Sequence, residues 1–320
     1  MIFILYFVIL ILNLFMVKTK INKDKRKLKN KTFKKLKCSP LSNYSNKDTK
    51  LNKLSCYSSK NLELFKKIWN ENNNNNKILT NNSQEIWSFF KKELNNKCYN
   101  ELCWLENKPL NKLNNKDLII KELFKPFSPD SWKSKPSTWL SSVDISKIMY
   151  QYEKLYKDFA FIGPSPIDFD SKQLFSTCVW EKLCKFDLNE YINKKKYKIG
   201  IIFNLDPHNK PGSHWVALFI DINKKIIFYF DSNGIKIPKQ INNLVSKIKK
   251  QATELNIDFI FDSNENFVHQ YGDGQCGMYT LYFIIELLKE SKTYNYFKKN
   301  RISDTIMKNY RKKYYNEVVK

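Results

Sequence analysis

The 320-residue chain carries 56 Lys and Arg residues against 31 Asp and Glu, a formal net charge of +25. Because 42% of its residues are hydrophobic and 15% aromatic, it has enough apolar surface to form a core, which excludes a wholly disordered protein. Seven glycines and ten prolines are too few for a collagen-like protein or a Gly/Pro-rich linker. The composition therefore indicates a strongly basic protein with a substantial hydrophobic core.

The first 17 residues form an apolar run without a charged side chain, and a basic stretch follows it. A secretory signal has the opposite order, with basic residues before the apolar run and a small-residue cleavage site after it. Residues 1–17 predict either a membrane anchor that leaves the rest of the chain cytosolic, or a start site assigned too far upstream of Met16.

Residues 18–60 are interpreted as a basic flexible arm, because Lys18 to Leu54 contain 14 basic and only 2 acidic residues. Such an arm predicts non-specific DNA binding through counterion release, although a solvated lysine-rich surface explains the same charge. Apolar residues at helical spacing then predict a helical arm domain over residues 61–125. A Pro-rich joint from Phe124 to Trp132 marks the boundary of a C-terminal core, residues 126–320.

The C-terminal core alternates strand-like and helix-like segments. Short runs of β-branched and aromatic residues predict strands, and apolar residues three or four apart predict helices. The predicted strands are 197–205, 214–222, 225–232 and 257–261, and the predicted helices are 143–156, 238–255 and 276–290. This order predicts an α+β domain whose last hydrophobic helix packs on a sheet.

Two neighbouring predicted strands bring a histidine towards a carboxylate. If Asn223 and Lys224 form the turn between them, Val216 faces Asp231, and His214 becomes a diagonal neighbour of Asp231 on the same face. A carboxylate beside an imidazole orients the ring and makes it a stronger base. The alternative is an ordinary ion pair at the edge of the sheet.

Cys276 stands at the predicted start of the last helix, within a cluster of glycines. Unpaired backbone N–H groups at a helix start favour a thiolate and can also bind the oxyanion of an attacked carbonyl. Gln270, six residues earlier, could add a side-chain donor to this oxyanion hole. The alternative is that Cys276 is a small core residue. The odd total of seven cysteines, without a C-x-x-C pair, predicts free thiols, no structural zinc and no metal cofactor.

The motifs H-W, D-S-x-G and Q-x5-C-G, in this order, resemble those of the SUMO-protease-like cysteine peptidases, which have a papain-like core. The resemblance is nearest to the polyprotein proteases of African swine fever virus and giant viruses. It implies Cys276 as nucleophile, His214 as general base, Asp231 as its orienting partner and Gln270 in the oxyanion hole. It also implies that Trp139 covers a narrow channel for Gly-Gly, although a core tryptophan is an equal alternative.

The resemblance implies a monomeric thiol endopeptidase that needs no cofactor and cleaves polypeptides after Gly-Gly or similar small residues. Its expected role is to process viral structural polyproteins in the virion and the host cytoplasm. Two alternatives stay open. One is an isopeptidase that removes ubiquitin-like modifiers from host proteins, and the other is a non-catalytic, nucleic-acid-binding virion protein.

Overall fold

A computed structural model describes residues 32–45, 49–173 and 177–317 of the chain. Two compact units make up the protein, Met1–Phe124 and Lys125–Lys320. Residues 1–17, the predicted membrane anchor, lie outside the described residues. None of the helices in the described ranges has both the length and the apolar character needed to cross a membrane.

The first unit is helical and is built around buried aromatic rings. Its helices are α1 (Pro40–Ser45), α2 (Thr49–Leu54), α3 (Ser59–Asn72), α4 (Ser83–Glu93) and α5 (Lys116–Leu123), with short 3-10 turns at Leu102–Glu106 and Leu110–Lys112. A capping box between Ser58 and Asn61 starts α3. The Tyr57 ring lies edge-on to Phe65 with centroids 4.8 Å apart, and Trp104 is fully buried beside it. These rings supply most of the apolar surface that a small helical unit needs.

The described part of the basic segment belongs to this helical unit. Leu36, Leu51 and Cys56 are almost completely buried, and a disulfide joins Cys38 to Cys56. The predicted flexible arm is therefore wrong for residues 32–45 and 49–60. The reason is that a few apolar side chains among many lysines are enough to attach this segment to a core.

Six of the seven cysteines form disulfides, which corrects the prediction of free thiols. The pairs are Cys38–Cys56, Cys98–Cys103 and Cys178–Cys184. Pairing depends on folded Cα–Cα separations, here 5.1 to 6.2 Å, and these separations are not visible in the spacing along the chain. Cys276 is the cysteine that stays free.

The second unit contains one five-stranded sheet, with the strands in the order β1-β2-β3-β4-β5. The strands are β1 (Phe159–Pro166), β2 (Lys198–Asn204), β3 (Trp215–Asp221), β4 (Ile226–Phe230) and β5 (Ile260–Ser263). The outer pairs β1–β2 and β4–β5 are parallel, whereas β2–β3 and β3–β4 are antiparallel. Every residue of β3 is buried, as expected for a central strand covered on both faces.

Helices cover both faces of this sheet. They are α6 (Ser142–Leu155), α7 (Glu181–Cys184), α8 (Leu188–Asn193), α9 (Lys239–Glu254), α10 (Cys276–Leu288), α11 (Tyr294–Lys299) and α12 (Asp304–Tyr314). All thirteen residues of α10 are buried, and with α6 they pack on the face that carries Phe219, Phe228 and Phe230. Helix α9 packs on the opposite face. The start of α10 is thereby held rigidly beside the ends of β3 and β4.

The fold confirms the predicted α+β class with a helical amino-terminal region. The β3–β4 ladder has the predicted register, for example Ala217 opposite Phe230. Strand β1 was not predicted, because its sequence, which includes Gly163 and two prolines, interrupts the usual strand pattern. Helices α11 and α12 were also not predicted, since they are short and rich in polar residues.

Phe283 in α10 is expected to be a major source of stability. Its ring is fully buried and stacks on Phe230 at 4.7 Å. We expect Phe283→Ala to lower the free energy of unfolding by about 3 to 5 kcal/mol, measured by chemical denaturation, because it leaves a cavity in the core. Val143→Ala, at a position 58% exposed, is the control and should change it by less than about 0.5 kcal/mol. Similar losses in the two variants would contradict this account of the core.

Candidate active site

His214 and Asp231 meet at the edge of the sheet where β3 begins and β4 has just ended. Nε2 of His214 lies 2.6 Å from Oδ1 of Asp231. The carboxylate is fully buried and also accepts a hydrogen bond from the backbone N–H of Asn233. Asn264 fixes the backbone of Asp231 by accepting from its N–H at 2.9 Å and donating to its carbonyl at 2.7 Å. The carboxylate therefore presents one oxygen to the ring in a fixed orientation.

The His214 ring is protonated more readily than an ordinary histidine. Burial by itself lowers its pKa, but hydrogen bonds and charge interactions with Asp231 and Cys276 outweigh this and raise the pKa to about 9. Because Nε2 is engaged by Asp231, Nδ1 is the ring nitrogen left to exchange a proton with Cys276. The result is a ring that carries its proton at neutral pH beside a buried carboxylate and Cys276, as proton transfer to a leaving group requires.

Cys276 is the first residue of α10 and is only 2% exposed. Gly277 follows it at a point of close packing, because a Cβ there would lie 3.1 Å from Leu140 and 3.2 Å from Trp215. The indole N–H of Trp215 donates to the carbonyl of Leu140 at 3.0 Å, which fixes the ring beside the helix start. The thiol is thus held where the unpaired N–H groups of the helix converge.

Gln270 lies on the loop that leads to Cys276, and its amide is held in place by hydrogen bonds. The side-chain oxygen accepts from the Ser232 hydroxyl at 3.0 Å, and the side-chain nitrogen donates to the carbonyl of Gly272 at 2.6 Å. Its backbone N–H donates to the carbonyl of Ser232. Sequence reasoning missed this role of Ser232, although the residue directly follows Asp231.

The two other histidines have different environments. His269 is buried, donates from Nε2 to the carbonyl of Phe297 and accepts at Nδ1 from the N–H of Ile302. Burial lowers the pKa of His269 to about 4, so this ring is neutral and structural. His208 pairs through Nδ1 with Asp168 at 2.6 Å, at an exposed position. Of the three histidines, the structure brings His214 to Cys276.

The loop from residue 269 to residue 275, here called the catalytic loop, is held by the segment that begins at Arg301. Arg301 donates to the carbonyl of His269 at 3.3 Å and lies over the ring of Tyr271. The Asp304 carboxylate accepts from the backbone N–H groups of Tyr271 and Gly272 at 3.1 and 3.0 Å. No contact of this late segment with the catalytic loop was predicted from the sequence.

A surface cavity of about 590 Å³ is lined in part by Leu140 and Trp215, the two side chains that pack against Gly277. Trp139 and Trp215 both line it, together with Pro164 and Trp180. Trp139 is 44% exposed, and one edge of its ring lies against Gly274, two residues before Cys276. Among the residues that the structure describes, no group of His, Cys, Asp and Glu side chains is arranged to hold a metal ion.

The sequence profile of the Ulp1 protease family, C-terminal catalytic domain, matches residues 152–320, more than half of the chain. This chain belongs to the Ulp1 protease family. The match covers the whole His, Asp and Cys arrangement and confirms the family resemblance noted in the sequence.

Viral proteins are among the similar sequences. The "Putative thiol protease" of Acanthamoeba polyphaga mimivirus is 37% identical over 174 residues, 54% of this chain and 54% of the relative. The cysteine protease of African swine fever virus isolate Tick/Malawi/Lil 20-1/1983 is 27% identical over 180 residues, 54% of this chain and 66% of the relative. The matched segment therefore spans about half to two thirds of the length of these relatives. The corresponding protein of isolate Pig/Kenya/KEN-50/1950 is named a SUMO-1 cysteine protease.

A solved structure shares the fold over most of both chains. The crystal structure of the African swine fever virus protease matches with a TM-score of 0.61 and 21% identity. The match covers 88% of this chain and 96% of that chain. At this identity the likeness shows the fold alone, and it confirms the predicted SUMO-protease-like architecture.

The raised pKa of His214 gives stability a specific pH dependence. A group whose pKa rises from 6.5 to about 9 on folding stabilises the folded state fully below pH 6.5, and this contribution is lost as the pH rises through 9. We expect the difference in free energy of unfolding between the wild type and His214→Gln to shrink from pH 6.5 to pH 9. Denaturant titrations across this range measure it. A difference that stays constant would contradict the assigned His214 interactions.

Proposed function

We propose that this protein is a cysteine endopeptidase that cleaves polypeptides after Gly-Gly or a similar small-residue pair. The observation that carries the proposal is that one imidazole, that of His214, bonds to a buried carboxylate and has its pKa raised by both this carboxylate and the thiol at the start of α10. This arrangement supplies a nucleophile, a proton carrier and an orienting group for acyl transfer.

In the proposed reaction, the Cys276 thiolate attacks the scissile carbonyl and forms a C–S bond while the carbonyl oxygen becomes an oxyanion. The backbone N–H groups at the start of α10 and the Gln270 amide stabilise this oxyanion. The imidazolium of His214 donates its Nδ1 proton to the leaving amine as the C–N bond breaks. A water molecule, deprotonated by His214, then hydrolyses the thioester and releases the carboxylate product.

The surroundings of the thiol support a preference for small residues before the cleaved bond. Trp139 and Trp215 line the same cavity, and Trp215 is fixed by its hydrogen bond to Leu140. Flat indole rings beside a nucleophile accept a backbone without side chains more readily than a bulky residue. This supports a role for Trp139 as one wall of a Gly-Gly channel.

The proposed substrates are viral structural polyproteins, with action in the virion and the host cytoplasm. The viral origin of the relatives supports this, since the chain is similar to proteases of a giant virus and of African swine fever virus. A second candidate is cleavage of ubiquitin-like modifiers, which the SUMO-1 protease name of one relative favours. A folded modifier and a short peptide are the substrates that separate the two.

The test is cleavage of a Gly-Gly-X peptide series and of ubiquitin-like precursors under reducing conditions, followed by mass spectrometry. We expect Cys276→Ala and His214→Ala to abolish turnover, because they remove the nucleophile and the proton carrier. His208→Ala is the matched control and should keep activity within about threefold, since its ring pairs with Asp168.

Cleavage of the short peptides alone would support the polyprotein protease, and cleavage of the folded precursors alone would favour the modifier isopeptidase. Activity that persists in Cys276→Ala, or that depends on His208 in place of His214, would contradict the proposed mechanism.

The basic charge supports DNA as a further partner, in addition to peptide substrates. Residues 18–31 contain eight lysines and arginines and one aspartate. Replacing these eight residues with glutamine is expected to lower affinity for duplex DNA by about tenfold at moderate salt, because fewer counterions are released. Fluorescence anisotropy measures this, and peptide cleavage should be unchanged. Unaltered affinity would contradict a role for residues 18–31 in DNA binding. The proposal that residues 1–17 associate with membranes does not depend on this result.

A further inference from the structure

Arg311 is a buried cation that bonds to the two residues before the nucleophile. It belongs to α12 and is only 4% exposed. Its guanidinium donates to the carbonyl of Thr138 at 2.7 Å, the carbonyl of Gly274 at 2.5 Å and the side-chain oxygen of Gln275 at 2.8 Å. Gly274 and Gln275 are the last two residues before Cys276, so the charge is held against the backbone that leads into the nucleophile.

The hydrogen-bond acceptors of this guanidinium are two carbonyls and one amide, all of them neutral. Cζ of Arg311 lies over the ring of Trp132, 4.4 Å from the ring centroid, and this contact is also uncharged. Burying a charge without a carboxylate partner is costly, and such a charge interacts strongly with any group nearby that can become negative. The Cys276 thiol is such a group.

Other ionisable groups that face this region have partners of their own. Asp144 caps α6 by accepting from the Ser141 N–H and hydroxyl, and Tyr315 donates to the Asp144 backbone carbonyl at 3.2 Å. On the other side of the thiol stand His214 and Asp231, which bond to each other. These groups contribute to any pH profile measured at Cys276, so that profile belongs to the coupled set.

The electrostatics agree with an Arg311 that stays charged. Burial lowers the pKa of Arg311 to about 10, opposed by the charge interactions with Tyr315, Cys276 and Asp144. The guanidinium is therefore protonated at neutral pH. The reactive form of a cysteine nucleophile at this pH is the thiolate.

We propose that Arg311 is a positioning residue that holds Gly274 and Gln275 in place and stabilises the Cys276 thiolate through its buried charge. The proposal rests on the proposed function only in taking the thiolate as the reactive form. It adds a second cation, bonded to the residues that precede Cys276, to the imidazolium of His214.

Gln275 makes this proposal separable from a purely structural role. Its side-chain oxygen bonds to Arg311, whereas its buried side-chain nitrogen has no hydrogen-bond partner among the described residues. Gln275→Glu therefore keeps the shape and the bond to Arg311, and it improves that bond by adding charge. It also adds a negative charge next to both the guanidinium and the thiol, so a charge-dependent midpoint is expected to rise while the bond to Arg311 is kept.

The experiment measures the rate of Cys276 alkylation by iodoacetamide against pH, with the three disulfides intact and without any substrate. We expect Arg311→Met to move the midpoint of the profile up by about one pH unit and to slow alkylation on its acid side about tenfold. Gln275→Glu should move the midpoint in the same direction. Arg311→Lys keeps the charge and should restore most of the wild-type midpoint.

Two controls accompany these variants. Lys308→Met removes an exposed positive charge from the same helix and should leave the midpoint unchanged, whereas Gln275→Met removes the bond to Arg311 without adding charge and shows the effect of losing that bond alone. A folded Arg311→Met protein with the wild-type midpoint would overturn the proposal. If thermal melting shows that Arg311→Met does not fold, equal midpoints for Gln275→Glu and Gln275→Met would overturn it. Because no substrate is used, a failed peptide assay leaves this result interpretable.

Discussion

The arrangement of this protein depends on the hydrogen bond between His214 and the buried Asp231. A carboxylate with no exposed surface is tolerated only when its partners are fixed, and here they are supplied by the ends of β3 and β4. Strand β3 is buried along its whole length and α10 packs against it. This packing holds the imidazole close to the thiol at the start of α10. The same packed elements that form the core therefore also position the reactive side chains.

The carboxyl-terminal segment also holds the catalytic loop, residues 269–275, which leads to Cys276. Arg301 and Asp304 hold its first half, and Arg311 holds its second half through Gly274 and Gln275. Loops are the most mobile part of most folds, yet an oxyanion hole needs donors placed within a fraction of an ångström. The charged side chains that anchor this loop explain how a glycine-rich segment can keep a fixed shape.

Sequence patterns predicted the core elements because their apolar runs are long: β2, β3, β4, α9 and α10 all appear where expected. The β3–β4 register followed from the centre of the turn at Asn223 and Lys224. Strand β1 was not predicted because Pro and Gly interrupt its pattern. The disulfides were not predicted because pairing depends on distances in three dimensions. The burial of Arg311 was not predicted for a similar reason, since the sequence around one arginine among 56 basic residues does not indicate that it is buried.

The most direct test of this account is covalent trapping with an acyl-Gly-Gly chloromethyl ketone, read by intact and peptide mass spectrometry under conditions that keep the disulfides. The account predicts one adduct per chain, on Cys276, formed at neutral pH in the folded protein and lost in His214→Ala or in urea. In this reaction the Cys276 sulfur forms a C–S bond to the methylene carbon of the reagent, and chloride leaves. Labelling that is absent in the folded protein, or equally fast after unfolding, would contradict an activated nucleophile at this site.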